Sequence, residues 1–110
     1  MVIRHETAKQ FVIGEGIESR IMGHGGSIMM VENTFTKGAF APMHSHVHEQ
    51  AVYIVSGTFE FTIGEEKVVV NAGDSFYVEP HVEHGCTALV DSVVIDTFSP
   101  IREDFLEMAK

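Results

Sequence analysis

The chain has 110 residues, the usual length of one domain, and its 45% hydrophobic and 21% charged residues form an ordinary globular mix that excludes disorder and fibrous repeats. Sixteen acidic against seven basic residues give a formal charge of −9, a field that repels phosphate backbones and anionic bilayers, so nucleic acid and membrane are excluded as partners. No Arg-rich leader and no apolar run of about 18 residues is present, which predicts a soluble, cytoplasmic protein.

Apolar and polar residues alternate with period two along most of the chain. This predicts short, half-buried strands over residues 10–13, 19–22, 27–36, 51–56, 58–63, 67–71, 75–78, 84–89 and 93–98. Turn signals separate them at His24-Gly25-Gly26, Lys37-Gly38, Ser56-Gly57, Gly64-Glu65-Glu66, Asn71-Ala72-Gly73 and Glu79-Pro80. Eight or more short strands with tight turns predict an all-β barrel or jelly roll in a single domain, residues 1–110. Only residues 102–109, after Pro100, read as a helix, with Phe105, Leu106 and Met108 available to dock it.

Cys86 is the only cysteine, so it has no intramolecular disulfide partner, and any metal must be held by nitrogen and oxygen. Five of the seven histidines fall in two clusters, His44/His46/His48 and His81/His84. On an extended strand, His44 and His46 project from one face with α-carbons about 6.6 Å apart, close enough to share an ion. A straight strand would spread residues 44 to 50 over about 20 Å, so the chain must bend near residues 47–49. Either Gln50 or Glu49 then supplies an oxygen, and His84 the remaining nitrogen from a neighbouring strand. His48 reads as a pocket-lining or surface residue, His5, His24 and His81 as solvated, and Cys86 as a small core residue.

The segment GAFAPMHSHVHEQ from Gly38 to Gln50, continuing to Gly57, resembles the first cupin motif, and GDSFYVEPHVEH from Gly73 to His84 resembles the second. The resemblance implies a cupin-type double-stranded β-helix holding one divalent metal through His44, His46, Gln50 and His84. Gln50 stands where glutamate is usual, and Val82 where glycine is often found. A neutral ligand set leaves the ion its full charge and favours an anionic substrate. Zn, Ni, Mn, Fe and Co all suit such a site.

In the tail, Val94, Asp96 and Phe98 share one strand face, with Arg102 just beyond. Alternation alone leaves open whether that face points inward. The Asp96-Thr-Phe98-Ser-Pro-Ile-Arg102-Glu-Asp-Phe105 ending, with Met22-Gly-His24-Gly25 and the Ala72–Ser75 turn, resembles the pectin-degradation cupin family KdgF over nearly the whole chain. That resemblance implies ring opening and ketonisation of 4,5-unsaturated uronate monosaccharides, with Asp96, Phe98 and Arg102 in the active site. Asp96 would be the general acid/base, the metal a Lewis acid, Phe98 packing against the sugar, and Arg102 the partner of the uronate carboxylate. An acidic substrate entering a −9 protein requires a locally positive cavity, and the metal and Arg102 are the groups expected to make it so. Many small cupins pair as dimers through their outer sheet, so the resemblance implies a homodimer. The alternatives are another metal-dependent cupin enzyme, such as a dioxygenase or sugar isomerase, or a non-catalytic sugar-binding module.

Overall fold

The structure is a computed structural model and describes residues 1–109. A 3₁₀ turn, His5–Thr7, leads into ten strands: β1 (Gln10–Gly14), β2 (Ile17–Gly25), β3 (Ile28–Phe35), β4 (Phe40–His44), β5 (Glu49–Ser56), β6 (Thr58–Ile63), β7 (Glu66–Asn71), β8 (Ser75–Val78), β9 (His84–Ala88) and β10 (Ser92–Ser99). One helix, α1 (Glu103–Met108), follows. The strands form a six-stranded sheet in the order β1-β2-β3-β10-β5-β8 and a four-stranded sheet in the order β4-β9-β6-β7. Every pairing is antiparallel. This is the all-β jelly-roll architecture read from the alternation.

Nine of the ten strands overlap the ranges predicted from the period-two pattern, and β4 does not. Phe40 and Met43 are exposed, and Pro42 removes a backbone donor, so β4 has no apolar-inward rhythm to read. Pro42 is tolerated because β4 is the edge of its sheet. The helix is shorter than the predicted 102–109: Arg102 stands just before it as the cap residue. Phe105 is buried and Leu106 half-buried against the barrel, whereas Met108 is exposed.

The interior is layered. Ile17, Phe35, Val52, Ile54, Phe59 and Val94 belong to one apolar cluster, while Phe11, Ile21, Met29, Val31, Phe98 and Phe105 form a second. Between them each central strand contributes a polar residue: Ser19 lies between Ile17 and Ile21, Asn33 between Val31 and Phe35, and Asp96 between Val94 and Phe98. Burial of apolar surface on both sides holds the sheets together. The polar layer between is affordable only because its members bond to one another. No helix among the described residues is long and apolar enough to cross a membrane.

Candidate metal centre and cavity

His44 ends β4 and pairs directly with His84 at the start of β9. Gly85, next along, permits this approach: a Cβ there would stand 2.8 Å from the Ala41 carbonyl oxygen and 3.0 Å from the Met43 nitrogen. His46 lies in the bend between β4 and β5, the bend required by the spacing of residues 44 to 50. Its carbonyl accepts the backbone N–H of His81 at 2.8 Å, clipping the bend to the β8–β9 connection. His81 adopts a positive φ of 66° there, so an exposed side chain read as solvated has a backbone role. Gln50, on β5, is buried.

The three imidazoles are oriented alike. Nδ1 of His44, His46 and His84 lies 2.9 Å from the carbonyl oxygens of Pro42, His48 and Val82 respectively. A carbonyl only accepts, so each Nδ1 carries the proton and each Nε2 presents a lone pair. One ligand atom from each of the three lies within 4.8 Å of the others. His84 Nε2 is buried without a hydrogen-bond partner. His46 Nε2 faces Gln50 Oε1 at 3.1 Å. Burial, followed by the charge of Arg102, lowers the pKa of His46 to about 4, so at neutral pH two acceptors face one another with no proton between them. Burial lowers His84 as well. Converging lone pairs with an orphaned buried nitrogen fit a divalent cation bound by three histidines and an amide oxygen.

The amide of Gln50 has its orientation set from behind. Its Nε2 donates to Asp96 Oδ1 at 2.8 Å, which turns Oε1 toward His46. Asn33 Nδ2 donates to the other carboxylate oxygen at 2.6 Å, and the Ser19 hydroxyl donates to Asn33 Oδ1. Asp96 therefore faces inward, the question alternation left open, and is buried. Burial raises its pKa, opposed by the amide donors of Gln50 and Asn33 and the charge of Arg102. Sequence reasoning did not single out Ser19 or Asn33. Their signal was present: both occupy inward positions between apolar residues of the same strand face.

Glu49, the other candidate oxygen ligand, is not brought to the imidazole cluster. It points outward and accepts the Tyr77 hydroxyl at 2.9 Å, because its parity on β5 is opposite to that of Gln50. His48 donates through Nε2 to the Ile101 carbonyl at 3.2 Å, tying the bend to the tail, and its ring lies beside Phe98. Cys86 packs against the first apolar cluster, and burial pushes its thiol up to about 12, where it is inert as a nucleophile. His5 is exposed and bonds Glu32 at 2.7 Å, away from the cluster.

A cavity of about 360 Å³ opens onto these residues, lined by His44, Gln50, His84, Asp96, Phe98 and Arg102 among others. Among the described residues Arg102 is the one Lys or Arg along its wall, and its guanidinium stacks on Phe105 at 3.9 Å and lies 4.9 Å from the Phe98 centroid. It is also paired with Asp104, so the local positive charge expected of Arg102 is partly spoken for within the chain.

The cupin domain model matches residues 31–95, which include the three histidines and Gln50. The chain belongs to the cupin family. The pectin degradation protein KdgF of Dickeya dadantii (strain 3937) is 41% identical over 96 residues, covering 86% of this cupin and 87% of that protein. Among solved structures, an RmlC-like cupin from Shewanella frigidimarina NCIMB 400 superposes with a TM-score of 0.90 at 39% identity, covering 94% of both chains. KdgF from Halomonas sp. superposes with a TM-score of 0.87 at 39% identity, covering 96% of both.

Proposed function

We propose that this cupin opens and ketonises 4,5-unsaturated uronate monosaccharides released in pectin or alginate breakdown, as a metal-dependent isomerase acting in the cytoplasm. The observation that carries the reading is Asp96, a buried carboxylate on the cavity wall, hydrogen-bonded to Gln50 behind three converging imidazole lone pairs. The similarity to two proteins named KdgF, one of them a pectin degradation protein, supports the substrate class.

His44, His46, Gln50 and His84 would hold one divalent ion from among Zn, Ni, Mn, Fe and Co. Such an ion supplies Lewis-acid stabilisation of charge developing on substrate oxygens. Asp96 takes the proton of the C1 hydroxyl as the bond from C1 to the ring oxygen breaks, which leaves an aldehyde at C1 and an enolate at C5. A proton returned to C4 then gives the keto form, so the reaction is an isomerisation that needs no oxidant. Burial holds the Asp96 pKa above the ordinary carboxylate value, which makes it a better base when ionised. Phe98, buried and flanked by His46 and Arg102, closes the apolar side of the cavity to water. Arg102 pairs with the uronate carboxylate.

The reading takes the 110 residues as one cupin domain working as a homodimer. The outer face of the six-stranded sheet supports pairing, since Met30, Tyr53, Val55 and Tyr77 are exposed there. The test is to incubate metal-loaded protein with an unsaturated monouronate and follow the ultraviolet absorbance of the conjugated double bond against a metal-stripped control. The expected result is a loss of absorbance that depends on metal. Equal rates in the two samples would remove the proposal.

A further inference from the structure

The Arg102 guanidinium is held on two sides. Its Nε donates to one oxygen of Asp104 at 3.0 Å and its Nη2 to the other at 2.9 Å, a bidentate pair formed across one residue at the start of α1. The Phe105 ring lies under its flat face at 3.9 Å. The arginine side chain is only 12% exposed, whereas that of Asp104 is 55% exposed and so is not itself driven inward by burial. Stacking on an aromatic face sets the plane of a guanidinium but leaves it free to turn within that plane. A bidentate carboxylate removes that remaining freedom.

A guanidinium has five N–H donors and two edges able to grip a carboxylate. Asp104 occupies the edge formed by Nε and Nη2. The end-on edge, formed by Nη1 and the second Nη2 hydrogen, makes no hydrogen bond to any described residue. Both residues line the cavity, and the charge of Arg102 is felt at His46 and His84. We propose that Asp104 is a positioning residue: it locks Arg102 in rotation so that the end-on edge alone is presented to the carboxylate of an acidic substrate. The inference rests on the reading of Arg102 as the carboxylate partner and adds how its geometry is set. Asp104 also offsets the arginine's charge, which keeps the cavity from holding small inorganic anions by charge alone and makes directional hydrogen bonding the basis of selection.

The experiment compares metal-loaded wild type, Asp104→Ala and Asp104→Glu by steady-state turnover of an unsaturated monouronate, with the thermal midpoint and metal content of each recorded. Loss of the lock raises KM about tenfold in Asp104→Ala while kcat falls by much less, and Asp104→Glu recovers part of the difference. If Asp104 served only the first turn of α1, the thermal midpoint would fall with KM unchanged, and the proposal would be overturned. A lower KM would overturn it as well, since Asp104 would then be a competitor of the substrate. If wild type does not turn over the uronate, the reaction assignment fails on its own. Calorimetric binding of D-galacturonate, a stable sugar acid, to the same three proteins then decides the role of Asp104: weaker binding to Asp104→Ala supports it, and equal or tighter binding refutes it.

Discussion

Gln50 illustrates how one atom decides a site. A glutamate there would set its carboxylate against that of Asp96, across the 2.8 Å now spanned by an N–H donor, and two like charges so close drive one to take up a proton. The amide instead donates backward to Asp96 and turns its oxygen toward the imidazoles, so Asp96 fixes the orientation of that oxygen. Asp96→Ala is therefore expected to cut kcat by about a thousandfold, within the range for an acid/base group, while the three imidazoles still retain metal. Turnover assays with metal analysis of the same sample check this; full activity would remove the acid/base role. His46 gives a second outcome. An unfolded histidine takes up its proton near 6.5 but folded His46 only near 4, so in that window the unfolded chain binds more protons and acid favours unfolding. The thermal midpoint of the metal-free chain should fall as pH drops from 6.5 to 4, and a His46→Gln variant should show a shallower fall.

Among the elements, the pairing of β4 with β9 carries the site, because it sets His44 opposite His84. It depends on Gly85, whose missing side chain admits the backbone of β4: the three atoms nearest its Cβ position are main-chain atoms of residues 41–43, and none can rotate aside. Gly85→Val is expected to push the edge strand away and lower metal occupancy several-fold, with the rest of the fold intact because the six-stranded sheet does not involve it. Metal content alongside far-ultraviolet circular dichroism separates these effects. The period-two rhythm made the other nine strands legible in the sequence, since each buries one face. β4 was not, because an edge strand with exposed Phe40 and Met43 lacks that rhythm. Gly57 was legible as a turn, and the structure adds that a side chain there would collide with Ser92.

Across the whole molecule, the candidate ligands straddle the two sheets: His44 and His84 belong to the four-stranded sheet and Gln50 to the six-stranded one. A bound ion would join the layers. At a free concentration one hundred times its dissociation constant, a ligand specific to the folded state stabilises by about 2.7 kcal/mol. For a chain of this size that raises the midpoint by roughly 10 °C. Calorimetry before and after chelation, with re-addition of metal to restore the midpoint, checks this.

Local alternation and the turn glycines were enough to read the fold, and the histidine spacing to bring His44, His46 and His84 together, because these are properties of the chain itself, whereas the choice of Gln50 over Glu49 and the roles of the tail residues came from the resemblance alone. The direction in which Asp96 faces, the relay from Ser19 through Asn33 to Gln50, and the lock of Asp104 on Arg102 were decided elsewhere. In the relay, residues 19, 33, 50 and 96 come from four strands. In the lock, the pair acquires its meaning only from the cavity that α1 closes against. A buried polar group keeps its place only when its partners are present, and pairing between distant strands supplies them.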